Sequence, residues 1–184
     1  QAEEAYLKGL EICQSLMSQN PQLYLPDLAR LQNNLSVLYT AAGQHAKSKA
    51  AAQKALEIYA RLHQSRPGIY QSKLALAWRS MGNNYFHSGQ MNQAEEAYQK
   101  TLKLLEQDKQ KNSAAIKQET ARTWNKLGLV YLESAEYEKS EKAFLKALKT
   151  LQKLSSQNLQ GTKSLMDEIQ ENLVHLHRDR QQNP

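Results

Sequence analysis

Apolar residues recur along the chain with the spacing of an α-helix. Between Trp78 and Tyr85, the residues Trp, Met, Gly and Tyr stand at i, i+3, i+4 and i+7, which places them on one side of a helix. The same periodicity along the rest of the chain predicts an all-helical protein. The predicted helices span 2–19, 25–42, 45–64, 71–88, 91–109, 114–133, 137–156 and 163–180.

Two sequence phrases repeat at intervals of 46 residues. The phrase at 78–85 returns at 124–131, and its leucine or methionine position is kept at Leu35 and Leu173. The second phrase, Ala-Glu-Glu-Ala-Tyr at 94–98, has counterparts at 48–52 and 140–144 and recurs letter for letter at 2–6. Two phrases that share one period over the whole chain indicate a repeat protein.

Each repeat is predicted to be two antiparallel helices. Gly43 and Gly89 are predicted to end the first helix of their repeats in a left-handed cap, and Ala135 takes that place in the next repeat. Pro21 and Pro67 are predicted to lie in the turns between repeats. Pro26 is predicted to lie in the first turn of the helix that follows.

The succession Trp-x2-Leu-Gly-x2-Tyr, then Ala, then Phe or Tyr, then Ala resembles the tetratricopeptide repeat. Residues 120–150 match this pattern nearly completely, 74–104 match with Met81 and Thr101 as exceptions, and 28–58 match more weakly. The family unit has about 34 residues, so the longer unit here is similar to long-helix variants such as kinesin light chain and bacterial signalling arrays. The resemblance implies an all-α, right-handed superhelical solenoid of antiparallel helix pairs that binds protein ligands.

The predicted organisation is one array over residues 1–184. Residues 1–20 are expected to be the second helix of a truncated repeat, so that the chain is a piece of a longer array. Complete repeats are expected at 25–65, 71–110 and 114–157, followed by a polar capping helix at 163–180. The last residues, 181–184, are expected to fray or to lead into a linker.

Composition and charge narrow the classes of function. The formal net charge is +6, but the basic residues are dispersed and lack aromatic interleaving, so nucleic acid is not the expected partner. No apolar stretch is long enough to suggest insertion into a membrane. A single cysteine, Cys13, excludes an intrachain disulfide and suits a cytoplasmic location. Cys13 shares its repeat position with Tyr59, Leu105 and Leu151, so we expect a core-facing thiol.

Motifs for catalysis and for cofactor or metal binding are not found in the sequence. It contains no phosphate-binding glycine loop, no G-x-S-x-G and no H-E-x-x-H. His175 and His177 are two positions apart on a predicted helix and point in different directions, which disfavours a metal site. We therefore expect neither an enzyme nor a cofactor or metal.

The resemblance implies that a ligand lies in a concave groove lined by the first helices. The predicted groove residues are Asn33, Asn34, Arg79, Asn83, His87, Arg122, Asn125, Lys126 and Asn172. Their recurring asparagines either hold the backbone of an extended peptide, or only bridge neighbouring helices or face solvent. Arg79, Arg122 and Lys126 are predicted to form a basic cluster that binds carboxylates. Arg122 and Lys126 match part of the carboxylate clamp of chaperone-binding domains, but the rest of that clamp is replaced, so the tails of heat-shock chaperones are not the expected ligand. An acidic-peptide groove, as in kinesin light chain, is a looser fit.

Two functions remain open from the sequence. The first is a protein- or peptide-binding scaffold within a larger protein, with some preference for acidic segments. The second is a structural segment that forms homo-oligomers through helices exposed at its ends.

Overall fold

The computed structural model describes residues 2–152, 154 and 159–182, which form α-helices joined by short connections. In chain order the helices are α1 (Ala2–Met17), α2 (Pro21–Ala41), α3 (His45–Ser65), α4 (Pro67–His87), α5 (Met91–Gln107), α6 (Ala114–Glu133), α7 (Tyr137–Gln152) and α8 (Leu159–Gln182). We call α2, α4, α6 and α8 the A helices and α1, α3, α5 and α7 the B helices. The chain divides into two compact units, one ending at Gln90 and one beginning at Met91.

Two A helices begin earlier than the sequence predicted. They start at Pro21 and Pro67, not at 25 and 71, and each proline occupies a position at the very start of its helix. Proline is favoured there because its fixed φ suits the helix and its missing N–H would have no partner in the first turn. For α2, the Asn20 side chain also accepts a hydrogen bond from the backbone N–H of Leu23 at 3.4 Å.

Pro26 is therefore inside α2 and beyond its first turn, which corrects its predicted position. At that depth a residue would ordinarily donate its N–H to the carbonyl of Gln22, and proline has no N–H to donate. The prediction was wrong because it used Pro26, and not Pro21, as the marker of the helix start.

The remaining boundaries lie close to the predicted ones. Helix α6 begins and ends where it was predicted, and α8 is longer at both ends than the predicted 163–180. Helix α7 ends at Gln152, and the predicted extension to 156 falls largely on residues outside the described part of the chain. The same applies to residues 183–184 of the predicted tail.

The three predicted left-handed caps are confirmed. Gly43 and Gly89 have φ angles of 69° and 71°, and Ala135 has a φ angle of 56°. A Cβ on either glycine would contact nothing within 4 Å, so glycine is favoured there by backbone conformation alone. Ala135 adopts the same conformation with a Cβ attached.

The first unit is built from α1 to α4, which pack in sequence, with α2 also contacting α4. Leu35, Tyr39 and Ala51 form a buried cluster between α2 and α3, against which Tyr6 and Leu10 of α1 pack. Cys13 is buried as predicted, and its Sγ lies 3.5 Å from the carbonyl oxygen of Tyr24. Burial raises the pKa of the Cys13 thiol, which disfavours the reactive thiolate.

The second unit shows why the repeat keeps a glycine in the A helix. A Cβ on Gly128 would lie only 2.5 Å from a ring carbon of Phe144, whose side chain is completely buried on α7. The glycine thus lets α6 and α7 approach closely. Ser140 of α7 adds a hydrogen bond from its hydroxyl to the carbonyl of Gly128 at 2.8 Å. In the first unit, Ser48 makes the equivalent bond to the carbonyl of Ser36, also at 2.8 Å.

Helix α8 packs on α7 through one side only. Leu165, Ile169 and Leu176 are buried in the core of the second unit. On the other side, Asp167 occupies the position that holds alanine in the other A helices, and Val174 occupies the position of Gly128. Asp167 is exposed, and half of the Val174 side chain surface is accessible. Both residues differ from the small side chains that allow a B helix to pack closely.

Helix α1, in contrast to α8, has a small residue on its uncovered face. Its Ala5 is exposed, whereas the residues at the same repeat position, Ala51, Ala97 and Ala143, are buried in the other B helices. Helices α3 and α7 pack against the A helices of their own repeats, α2 and α6. The face of α1 that would accept an A helix is therefore uncovered in this structure.

Candidate binding surface

Asparagine side chains of the A helices connect neighbouring repeats within each unit. In the first unit, the Ser80 hydroxyl of α4 donates a hydrogen bond to Oδ1 of Asn33 on α2 at 2.9 Å. In the second unit, Nδ2 of Asn172 on α8 donates to Oδ1 of Asn125 on α6, also at 2.9 Å. Both bonds join residues that are 47 positions apart, one more than the repeat length.

Asn125 is fully engaged in this connection. Its Nδ2 donates to Oε1 of Glu168 at 2.9 Å while its Oδ1 accepts from Asn172, and only 1% of the residue is exposed. The predicted contact of Asn125 with a peptide backbone is therefore corrected, because no part of its amide faces a ligand. For Asn33, Asn125 and Asn172, the hydrogen bonds are those of the alternative in which asparagine bridges neighbouring helices.

A further polar contact lies deeper in the first unit. Nδ2 of Asn84 donates to the carbonyl of Ser80 at 2.9 Å and approaches Oγ of Ser36 at 3.4 Å. All three residues are buried. Asn84 was not among the predicted site residues. The sequence could not show that Asn84 is buried while its neighbour Asn83 is only half-buried.

The other predicted residues of the first unit are accessible to different degrees. Asn34, Arg79 and Asn83 are half-buried, and His87 is exposed at the end of α4. The His87 ring stacks on His45, the first residue of α3, with 5.7 Å between the ring centroids. Val37 of α2 adds an exposed apolar side chain to the same series of positions.

The predicted cations of the second unit lie one helical turn apart on α6. Arg122 has a side chain that is 44% exposed, and its Nε lies 4.0 Å from Oε1 of Glu119. Lys126 is half-buried. Arg79 belongs to the first unit, so its clustering with Arg122 and Lys126 stays a prediction.

Acidic residues follow on the neighbouring A helix. Asp167, Glu168 and Glu171 of α8 line a hollow of about 440 Å³ that also includes Lys163 and Ser164. The described part of the second unit therefore presents cations on α6 and carboxylates on α8. Asp167 was not among the predicted site residues. Its departure from the alanine at the same repeat position was the signal that could have identified it.

The described part of the chain was also considered as a metal site and as a membrane-spanning segment, and its residues support neither. Residues there form no group of three or more His, Cys, Asp or Glu side chains placed to hold a metal ion. Among the described helices, none combines the length and the apolar character needed to cross a membrane.

Comparison with known proteins identifies the repeat. Two family models, both described as "Tetratricopeptide repeat", match residues 73–153 and 28–66, which together are more than half of the chain. No curated protein matches the sequence significantly.

Solved structures share the fold at low sequence identity. BtubC (BKLC) from P. vanneervenii superposes with a TM-score of 0.70 at 19% identity, over 96% of this chain and 65% of that one. The apo form of RapI gives a TM-score of 0.64 at 20% identity, over 92% of this chain and 57% of that one. The chain thus spans less than two thirds of either protein. These likenesses confirm the predicted all-α solenoid class.

Proposed function

Because the chain belongs to the tetratricopeptide repeat family, we propose that it is a protein-interaction scaffold whose A helices hold a segment of a partner protein. Repeats of this kind stack into extended binding surfaces. The proposal places the bound segment on Arg122 and Lys126 of the second unit. The predicted groove positions that remain accessible within the first unit are Asn34, Arg79, Asn83 and His87.

The observation that carries the proposal is the pair of cations on α6. Arg122 and Lys126 are four positions apart, so their side chains project from the same side of the helix. Arg122 is exposed, and its ion pair with Glu119 is long, at 4.0 Å. A carboxylate of a ligand can therefore compete for the guanidinium with a charge-assisted hydrogen bond.

The charges of the second unit also determine the orientation of the bound segment on the surface. An acidic residue of the bound segment lies over Arg122 and Lys126, and a basic or polar residue lies near Glu168 and Glu171 of α8. This arrangement restricts the proposed acidic preference to the part of the segment that faces α6.

The double variant Arg122→Ala/Lys126→Ala tests the proposal. The probe is a fluorescein-labelled eight-residue peptide of alternating Glu and Leu, and fluorescence anisotropy measures its binding. Loss of two charge-assisted contacts should weaken binding by roughly tenfold or more. Glu119→Gln should have the opposite effect, because it removes the carboxylate that competes for Arg122.

The matched control is Lys142→Ala/Lys149→Ala, which removes the same charge from exposed positions of α7. It should leave binding unchanged apart from a small, salt-dependent loss. Equal weakening of binding by both double variants would show that the affinity depends on net charge alone and not on the α6 site. Unaltered affinity in Arg122→Ala/Lys126→Ala would reject the α6 site while leaving the family assignment intact.

The sequence also left open a self-associating structural segment. The side chains of α8 do not favour it, because Asp167 and Val174 stand where close helix packing uses small residues.

A further inference from the structure

A cavity of about 310 Å³ opens in the second unit, where α5 ends and α6 begins. It is bounded by the end of α5, the connection 108–113, the first half of α6 and the end of α7. The cavity is separate from the cations of α6 that the proposed function uses, since neither Arg122 nor Lys126 lines it.

The repeat explains why this cavity exists. In the first unit, Leu62 near the end of α3 and Leu74 of α4 are both buried. The residues 46 positions later are Asp108 and Thr120, so a polar and a smaller side chain replace two leucines. Helix α5 also stops at Gln107, whereas α3 continues to Ser65.

Neither replacement refills the lost volume. The Asp108 carboxylate accepts a hydrogen bond from the backbone N–H of Gln110 at 2.7 Å. This bond directs the Asp108 side chain towards the connection 108–113. The Thr120 hydroxyl donates to the carbonyl of Ile116 at 2.8 Å, and its short side chain lines the cavity. The space therefore lies where the second unit departs from the leucines of the repeat.

The inner wall is apolar and includes an aromatic ring. Leu102, Leu105 and Trp124 line it, and the Lys146 ammonium lies 4.2 Å from the centroid of the indole. This cation–π contact holds one face of the ring and fixes its orientation. A preformed apolar wall of this kind suits a small hydrophobic group.

The rim carries an excess of positive charge. Lys111 and Lys117 line the cavity together with one carboxylate, that of Glu106. Asn112 and Thr150 add polar groups at the same edge. A ligand that is apolar at one end and anionic at the other would match both parts of the lining.

We propose that this cavity binds a small aromatic carboxylate, with its ring against Leu102 and Trp124 and its carboxylate at Lys111 and Lys117. A volume near 310 Å³ accommodates roughly ten non-hydrogen atoms, since a water molecule takes about 30 Å³ of liquid. The carboxylate belongs either to a free acid or to the C-terminal residue of a peptide that ends in an aromatic side chain. This site goes beyond the scaffold function and does not depend on it.

Trp124 supplies the measurement. The chain has two tryptophans, so a Trp78→Phe background leaves Trp124 as the only indole emitter. Titration with hydrocinnamate should change its fluorescence with saturation, and hydrocinnamamide, which lacks the charge, should bind at least fivefold more weakly. Replacement of Lys111 and Lys117 by Gln should remove most of this difference between the acid and the amide.

The cavity itself is tested by filling it. Thr120→Leu restores the leucine found at position 74 and should abolish saturable binding, whereas Thr120→Val keeps the shape of threonine and should preserve it. If Thr120→Leu fails to fold, the Lys111 and Lys117 variants still test whether the cavity binds the carboxylate. An unsaturable response, or equal binding of acid and amide, would overturn the proposal.

The two sources of the carboxylate are separated by a second titration. The pentapeptide Gly-Ser-Gly-Ser-Phe is added with a free or an amidated C-terminus. Tighter binding of the free-ended peptide than of hydrocinnamate assigns the cavity to peptide ends. Binding of hydrocinnamate alone assigns it to a free small acid. Failure of both ligands to bind would contradict the site without affecting the α6 peptide assay.

Discussion

At the scale of single residues, Ala135 is the position where local sequence and local conformation conflict. It adopts a φ of 56° at the end of α6, where Gly43 and Gly89 serve in the other repeats. An alanine in the left-handed region costs roughly 1–2 kcal/mol, because its Cβ crowds the following carbonyl. The fold keeps Ala135 there because the contacts of the whole repeat outweigh this local cost.

Ala135→Gly should therefore stabilise the protein by about 0.5–1 kcal/mol, since part of the relieved strain is offset by the greater freedom of glycine in the unfolded chain. Urea denaturation followed by circular dichroism measures the change. Gly89→Ala is the converse, and should destabilise by about 1 kcal/mol because its Cβ meets no steric obstacle and only the backbone is strained. Shifts of the same sign in the two variants would contradict this explanation.

Residue positions also show how far the sequence predicts the candidate site. The repeat correctly marked Asn33 and Asn125 as equivalent, but it could not reveal their partners. Those partners, Ser80 and Asn172, lie 47 positions later, which is one more than the repeat length. Each hydrogen bond therefore joins two positions of neighbouring repeats that are not equivalent in the repeat pattern. Which side chain bonds across two helices depends on their relative rotation, and a periodic pattern does not contain that angle.

At the scale of helices, the order of elements and their pairing could be predicted because the small and aromatic positions repeat. The starts of α2 and α4 could not be placed as well, because a proline is compatible with both a turn and a first helical turn. The end of α5, at Gln107, was predicted to within two residues. Its leucines continue to Leu105, and only the change from leucine to Asp108 at the next core position marks the end.

One hydrogen bond between two helices should make stability depend on alkaline pH. The Tyr131 hydroxyl of α6 donates to Oε1 of Glu95 on α5 at 2.7 Å. Burial, together with this bond to a carboxylate, raises the pKa of Tyr131 from 10.0 to about 12. The folded protein thus favours the protonated phenol. The stabilisation is complete below pH 10 and is lost as the pH rises towards 12.

Tyr131→Phe should lower the free energy of unfolding by about 1–2 kcal/mol at neutral pH, and the difference from the wild type should narrow at pH 11. Urea midpoints at pH 7, 9 and 11 give this difference, in which the ionisation of the other tyrosines largely cancels. Glu95→Gln keeps an acceptor but removes the charge, so its pH dependence should be weaker. A wild-type advantage that stays constant up to pH 11 would show that the bond has no such role.

At the scale of the whole molecule, every repeat relies on its neighbours, because a helix pair cannot bury both of its apolar faces alone. The uncovered face of α1 has the small residue, Ala5, that an A helix would pack against. The outer side of α8 has Asp167 and Val174 where an incoming B helix would need alanine and glycine.

These two side chains of α8 would oppose the packing of a second copy on that helix. A second copy that placed its α1 on α8 would continue the array in the same way that one repeat follows another, and each added copy would offer the same end again. Burying Asp167 without a partner opposes this growth, and Val174 holds the backbones apart. Asp167→Ala/Val174→Gly should consequently increase self-association, so that in light scattering the mass of the variant rises more steeply with concentration than that of the wild type. Equal concentration dependence of the two proteins would show that Asp167 and Val174 do not oppose this packing.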